Sequence, residues 1–165
     1  MKDKLARDIM TSPAVSAGRR DSLSEVTRIL DRHNIRGVPV TDDEGKVVGV
    51  ISEKDMRKYT HFVLGQPVRD LCEMCRTLEE REEEARGSTS RSIDMLEAVA
   101  TATTEVIMTD KVISVTEETP VMEIVRLLNK HNINRLPVVD SEEKLVGVVS
   151  KADVLKLLEA WADNS

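Results

Sequence analysis

The segment from Ile9 to Lys58 recurs, without a gap, 98 positions further along this chain of 165 residues. The opening Ile9-Met10-Thr11 returns as Ile107-Met108-Thr109, and Gly49 returns as Gly147. Further matched positions are His33-Asn34-Ile35 with His131-Asn132-Ile133, Pro39-Val40 with Pro137-Val138, Ser52 with Ser150, and Asp55 with Asp153. Such a duplication predicts two copies of one fold related by a pseudo-twofold axis, with symmetric clefts between them that suit a ligand.

Each copy alone is close to the lower size limit of a stable domain, so we expect the two copies to share a core and fold together. Within each copy, short apolar segments (14–16 and 112–115) predict a first strand. Two further strands are predicted at 38–40 and 47–51 in the first copy, and at 136–139 and 145–149 in the second. A last helix is expected to begin at Ser52 or Ser150. Each repeat therefore reads β-α-β-β-α.

The helix between the first two strands carries different start signals in the two copies. In the first copy, Ser22 and Glu25 have the spacing of a capping box, and the helix is expected to end near Asn34. In the second copy, Thr119 is expected to cap and Pro120 to occupy the first turn. The apolar stripes comprise Leu23, Val26, Ile29 and Leu30 in one helix, and Val121, Ile124, Val125 and Leu128 in the other.

Composition excludes several classes of protein. The formal net charge of −6 does not suit a protein built mainly to hold nucleic acid, and Tyr59, Phe62 and Trp161 are the only aromatic residues, too few for a base-stacking surface. No apolar run approaches the length of a membrane span, and none follows Met1 as a signal peptide would. We therefore expect a soluble, cytoplasmic protein, with no membrane partner and no nucleic acid.

The repeated motifs resemble the tandem cystathionine β-synthase (CBS) domain pair, or Bateman module. The resemblance is carried by Ile-Met-Thr, by His-Asn-Ile followed by Pro-Val, and by the closing Gly-φ-φ-Ser-x-x-Asp, where φ is apolar. Residues 61–105 depart from the family pattern, and their composition predicts a long helical, acidic insert. The resemblance implies a mixed α/β (α+β) fold with two CBS repeats, at residues 1–60 and 106–165. It further implies homodimers, and adenosine-containing regulatory ligands such as AMP, ADP, ATP or S-adenosylmethionine.

By the same resemblance, each of two clefts takes residues from both repeats. One cleft would comprise Thr11, Ile35, Arg36, Gly37, Arg135, Val148, Ser150 and Asp153. The other would comprise Thr109, Ile133, Asn134, Arg135, Arg36, Val50, Ser52 and Asp55. No cofactor is expected to be required, no catalytic residue is assigned, and no metal site is expected.

Elementary chemistry supports these residue types and also offers a second interpretation. A helix N-terminus attracts anions, a carboxylate can accept hydrogen bonds from ribose hydroxyls, and an arginine such as Arg36 or Arg135 adds positive charge for a phosphate. However, Ser followed three residues later by Asp is also a capping box, so Asp55 and Asp153 can equally serve only to begin their helices.

Two other pairs of residues suggest chemistry more weakly. His33 and His131 occupy matched positions, which could suggest a pair of metal ligands. However, each lies at the end of a helix, where a histidine is ordinary. Cys72 and Cys75 form a Cys-x-x-Cys, which can be redox-active or supply half of a zinc site shared across a dimer; plain reduced thiols are the simpler expectation. Met10 and Met108 are expected to fill core positions. In the insert, helices are expected over 78–86 and near 93–100.

Three functions of different class remain open on the sequence. The favoured one is a ligand-sensing regulatory module that passes a change in conformation to an unidentified target protein. The second is a structural dimerisation scaffold with no bound nucleotide. The third, an enzyme in its own right, ranks last because the chain shows no paired nucleophile and base and no glycine-rich phosphate loop.

Overall fold

The structure is a computed structural model that describes residues 4–65 and 97–162. The first repeat contains β1 (Ala17–Gly18), α1 (Leu23–His33), β2 (Gly37–Thr41), β3 (Val47–Ser52) and α2 (Glu53–Leu64). After residues 97–101, which are helical, come α3 (Thr104–Ile107), β4 (Val115–Thr116), α4 (Val121–Lys130), β5 (Arg135–Val139), β6 (Leu145–Ser150) and α5 (Lys151–Ala162). A single 3₁₀ turn spans Ala6–Asp8. The predicted α+β class and the β-α-β-β-α order are confirmed.

The strands form two three-stranded sheets of equivalent topology, ordered β1-β2-β3 and β4-β5-β6. In the second sheet, β4 pairs parallel with β5, and β5 pairs antiparallel with β6 in a register that places Arg135 opposite Ser150. The first strand of each repeat is shifted from the predicted position, to residues 17–18 and 115–116. Strands of two residues leave no alternation in the sequence, so only their pairing fixes where they lie.

Two compact units are built from interleaved parts of the chain. The α2 unit contains Ser16–Val40 and Val48–Lys111, and the α5 unit contains the N-terminal residues through Val15, Thr41–Val47 and the chain from Val112 onward. The residues that precede each repeat thus lie in the unit that carries the other repeat's last helix. The expected repeat boundaries at 60 and 106 stay a prediction about the sequence, and neither unit is one continuous stretch.

Helix α1 forms as its sequence predicts. The hydroxyl of Ser22 accepts from the N–H of Glu25 at 3.2 Å, while the Glu25 carboxylate accepts from the N–H of Ser22 at 2.7 Å. Hydrogen bonds from the Ser22 backbone and side chain lower the pKa of Glu25. The helix ends at Asn34, which is left-handed at φ 50°.

Helix α4 begins differently from the prediction. Pro120 itself is the N-cap residue, and no side chain caps the helix. The hydroxyl of Thr119, expected to cap, instead accepts the N–H of Thr116 at 3.0 Å. The Thr119 cap was therefore wrong, because its hydroxyl closes the turn before the helix.

The cores are aliphatic, as the composition predicts. In the α2 unit the buried apolar side chains come from α1, the strands, α2 and residue 99: Ala17, Leu23, Val26, Leu30, Val38, Val40, Ile51, Met56 and Val99. In the α5 unit one cluster comprises Ala6, Val115, Ile124, Leu128, Leu136, Val138, Val149 and Val154, and Val121 and Val139 are also buried. Both predicted apolar stripes face these cores, although Ile29 and Val125 are only partly buried.

The turns between the last two strands of each repeat meet within the α5 unit. Lys46 and Lys144 form an antiparallel bridge, flanked by hydrogen bonds from the N–H of Val47 to the carbonyl of Glu143 and from Leu145 to Gly45, both at 3.1 Å. Gly45 has φ +82°, and Glu143 occupies the equivalent position at φ 64°. A non-glycine residue in this region carries a conformational cost.

Several predictions fall outside the described residues. These are the helix over 78–86, the Cys72 and Cys75 pair, and the part of the second insert helix before residue 97.

No helix within 4–65 or 97–162 is long and apolar enough to cross a bilayer.

Candidate functional site

In the α5 unit, the predicted site residues gather where Thr11 lies beside β6. The N–H of Thr11 donates to the carbonyl of Val148 at 2.9 Å, and the N–H of Val148 donates to the carbonyl of Thr11 at 3.1 Å. The preceding Met10 places its sulfur over Gly147, where an added Cβ would lie 2.5 Å from Sδ. The missing side chain of Gly147 thus makes room for Met10, whose side chain would have to shift if a Cβ were added.

The end of β6 carries the Ser-x-x-Asp turn that begins α5. Asp153 Oδ2 accepts from the N–H of Ser150 at 2.9 Å and from its hydroxyl at 2.6 Å. The other carboxylate oxygen, Oδ1, lies 3.8 Å from Lys156 Nζ, and the Asp153 side chain is 15% exposed. One carboxylate oxygen thus holds the turn, while the second remains available to a hydroxyl donor.

The α2 unit repeats this arrangement with its own residues. Thr109 and Val50 exchange backbone hydrogen bonds of 2.9 and 3.0 Å. A Cβ added to Gly49 would lie 2.3 Å from the sulfur of Met108. Asp55 Oδ2 accepts from both the N–H and the hydroxyl of Ser52. We refer to these two groups as the Asp153 half-site (Thr11, Arg135, Val148, Ser150, Asp153) and the Asp55 half-site (Thr109, Arg36, Val50, Ser52, Asp55).

The helix N-termini are less open than the sequence suggests. The first N–H of α5, from Lys151, donates to the carbonyl of Asn134 at 2.9 Å, and the equivalent N–H of Glu53 donates to Arg36 at 3.2 Å. The N–H of Asp153 approaches the Ser150 hydroxyl at 3.4 Å. Because these donors are already used, an anion would gain from the helix dipole but would find few unpaired N–H groups.

The two half-sites differ at one equivalent position. Gly37 opens β2 and is buried, and a Cβ added there would lie 2.8 Å from the carbonyl oxygen of Ile51 and 3.0 Å from Ser52 Cβ. In β5 the same position is Arg135, opposite Ser150 in the register. The Asp153 half-site therefore has a guanidinium on the strand itself, whereas in the α2 unit the arginine, Arg36, comes one residue earlier and is exposed.

The residues predicted for each cleft are distributed over both units. Thr11, Arg135, Val148, Ser150 and Asp153 share the α5 unit, while Ile35, Arg36 and Gly37, predicted for the same cleft, belong to the α2 unit. For the other cleft, Thr109, Arg36, Val50, Ser52 and Asp55 share the α2 unit, and the remaining members belong to the α5 unit: Ile133, Asn134 and Arg135. All fourteen predicted residues except Gly37 are at least partly exposed to solvent.

Four residues that position the half-sites were not predicted to do so. Met10 and Met108 were expected only to fill the core, and Gly49 and Gly147 were read only as the first residues of the repeated closing motif. The sequence did carry a signal for this contact. The same methionine and the same strand glycine recur in both repeats, and a glycine inside a strand often marks a place where another group packs closely. Within the parts of the chain that the structure describes, no group of three or more His, Cys, Asp or Glu side chains could hold a metal ion.

The CBS domain family model matches this chain at residues 6–61 and 104–160. The two matched segments are the two repeats, and solved structures similar to the chain include a CBS domain pair. The chain therefore belongs to the CBS domain family and carries a tandem pair of CBS domains.

Relatives give the family context. Protein MJ1426 of Methanocaldococcus jannaschii is 35% identical over 161 residues, which cover 93% of this chain and 90% of that protein. The L-aspartate semialdehyde sulfurtransferase of the same organism is 29% identical, but the match covers 93% of this chain and 23% of the enzyme. The CBS domain pair of protein MJ0100, solved with 5′-methylthioadenosine and S-adenosyl-L-methionine, is 28% identical with a TM-score of 0.65, covering 95% of this chain and 97% of that one.

Proposed function

We propose that this protein is a regulatory module that binds an adenosine-containing ligand at its Ser-x-x-Asp half-sites and passes the resulting change in conformation to a partner protein. The observation that carries the proposal is the geometry of Asp55 and Asp153. Each holds its own turn through Oδ2, next to a strand residue bridged to a threonine, so that Oδ1 can accept from a ribose hydroxyl.

The chemistry of the half-sites fits such a ligand. A carboxylate accepts strong hydrogen bonds from sugar hydroxyls because the acceptor is charged. The exposed hydroxyls of Thr11 and Thr109 can donate to a phosphate, and Arg36 and Arg135 can neutralise its charge. The MJ0100 domain pair binds two ligands that share an adenosyl group, which supports the adenosine class. Which of AMP, ADP, ATP or S-adenosylmethionine binds stays a prediction, as do contributions from Ile35, Gly37, Ile133 and Asn134.

The first test is a thermal shift with each ligand at millimolar concentration. A ligand present at a hundredfold excess over its Kd stabilises the folded state by about 2.7 kcal/mol, which for a chain of this size is a rise of about 5–10 °C in Tm. Ligands that give a rise are then titrated calorimetrically into wild type and into Asp55→Asn and Asp153→Asn.

The chain supplies a matched control for these variants. Ser22 and Glu25 form the same capping box at the start of α1, and no ligand is proposed there. Glu25→Gln and Asp153→Asn should each reduce stability by about 1 kcal/mol. Only the aspartate variants should weaken ligand binding, by tenfold or more, since a hydrogen bond to a charged group is worth about 1.5–3 kcal/mol.

A structural scaffold is the second candidate, and one observation favours it. Both capping boxes are completed by the protein's own residues, so neither aspartate requires a ligand to satisfy it. The scaffold predicts that no adenosyl ligand changes Tm and that both aspartate variants lose stability alone. That result would remove the proposal of ligand sensing. The expected homodimer stays a prediction, which light scattering coupled to gel filtration checks.

A further inference from the structure

The segment that leads into each repeat pairs with a loop of the other repeat. We call residues 4–11 and 102–109 the leading segments, and residues 19–23 and 117–121 the receiving loops. Leu5 forms an antiparallel bridge with Pro120, and Thr103 forms the equivalent bridge with Ser22. Around these bridges, the N–H of Ala6 donates to Thr119 at 2.9 Å and the N–H of Thr104 donates to Asp21 at 2.8 Å. The two pairings are equivalent in backbone geometry.

Chain connectivity opposes this choice of partner. Leu5 lies 115 positions from Pro120 but only 17 positions from Ser22, which is the equivalent residue in its own repeat. Closing the longer loop is less probable by roughly an order of magnitude. The six residues from Thr11 to Ala17 can reach about 20 Å. A Thr11 segment paired with β3 would lie three strand spacings, or about 15 Å, from β1, so length does not forbid pairing within one repeat. Something in the side chains must therefore favour the observed partners.

Charge distinguishes the two pairings. Arg7 on the first leading segment forms an ion pair with Glu118 on its receiving loop. At the position equivalent to Arg7, the second leading segment carries Glu105, which accepts from Arg19 Nη2 at 2.8 Å and Nε at 3.1 Å. The charges are therefore reversed between the two pairings, on a backbone that is otherwise the same.

We infer that these reversed ion pairs select which leading segment pairs with which receiving loop. Pairing within one repeat would bring Arg7 against Arg19 and Arg20, and Glu105 against Glu117 and Glu118. Both contacts are repulsive, whereas both observed contacts are attractive. The ion pairs are exposed and each contributes little to stability. Their effect on the choice of partner is larger than their effect on stability. Each charge contact is attractive in the observed pairing and repulsive in the alternative one, so the difference between the two pairings includes both contributions.

A competition between two disulfides measures the choice. Leu5→Cys, Ser22→Cys and Pro120→Cys are combined with Cys72→Ser and Cys75→Ser, so that the thiol at position 5 can pair with position 22 or position 120. Residues bridged without direct hydrogen bonds in an antiparallel pair have Cα atoms about 4.5 Å apart, which a disulfide accepts. The protein refolds from denaturant in a glutathione buffer, and mass spectrometry gives the ratio of the 5–120 to the 5–22 disulfide.

Adding Arg7→Glu and Glu105→Arg should lower that ratio about tenfold at low salt, because both attractive contacts become repulsive. Adding Arg19→Glu, Arg20→Glu, Glu117→Arg and Glu118→Arg as well inverts both receiving loops and should restore the ratio. In 1 M NaCl the ratios of all variants should become more alike. If the charge-inverted protein does not fold, Arg7→Gln with Glu105→Gln, which only neutralises the pairs, should lower the ratio about threefold. A ratio that stays the same on inversion or neutralisation, or that the variant with all six charges inverted fails to restore, would overturn the inference.

Discussion

The packing of Met108 on Gly49 gives a sharp test of how the Met-Thr segments are held. In Gly49→Ala, the new Cβ would lie 2.3 Å from Met108 Sδ and 3.0 Å from its Cγ, far inside contact distance. Overpacking of this kind costs about 1–3 kcal/mol. The smaller entropy of the unfolded alanine chain returns about 0.5–1 kcal/mol. We therefore expect a net loss of about 1 kcal/mol, and at most about 2.5 kcal/mol, so that the central value lowers Tm by roughly 2–4 °C.

A double-mutant cycle isolates the contact. Met108→Ala removes the sulfur, so Gly49→Ala should cost little in that background, and the coupling between the two changes should be about 1–2 kcal/mol. Unfolding in urea, followed by circular dichroism, gives all four free energies. The equivalent cycle of Gly147→Ala with Met10→Ala should give the same sign. If Gly49→Ala costs as much with Met108→Ala as without it, the glycine is needed for another reason and this account of the site is wrong.

Three further changes test other parts of the fold by urea unfolding. Glu143→Gly should stabilise the protein by about 1 kcal/mol, and Gly45→Ala should destabilise it by a similar amount, because both positions have left-handed backbone; opposite signs would refute this. Glu25 has a lowered pKa, so its contribution is present above its unfolded pKa of 4.5 and is lost as pH falls through the lower folded value; Glu25→Gln, which removes the titrating carboxyl group, should flatten the dependence of stability on pH in that acid range, and an unchanged slope would contradict it. Leu136→Ala, at a fully buried position, should cost about 2–5 kcal/mol, and a cost below 1 kcal/mol would show that the core is loosely packed.

Local rules predicted the elements whose signals lie within a few residues. Helix α1 begins at the Ser22 capping box and ends at Asn34, as expected, because capping chemistry involves only neighbouring residues. The rule failed at Thr119, where the same kind of hydroxyl had a second N–H within reach. The first strands were misplaced because their position depends on pairing with β2 and β5, which are distant in sequence.

The repeat predicted which residues lie at the ends of the matched strands but not how the half-sites are assembled, and their part in ligand binding stays a prediction. The repeat singled out Ser52, Asp55 and their partners, and the structure places them as turns at the ends of matched strands. Nothing in the periodicity indicates which repeat receives the segment ending at Thr11, since both repeats offer an equivalent strand. The reversed charges at Arg7 and Glu105 are a hint of that choice in the sequence, and they acquire meaning only once the ion partners are known.

The exchange of leading segments also affects how the protein can be divided. A cut between the repeats yields two fragments, and each holds pieces of both units, so neither fragment contains a complete core. Ala6, for example, is buried in the unit carried mostly by the second fragment. Two copies of one fragment would place like charges together, Arg7 against Arg19 or Glu105 against Glu118. Mixed fragments should therefore complement each other and reassemble as unlike pairs, as split reporter proteins do.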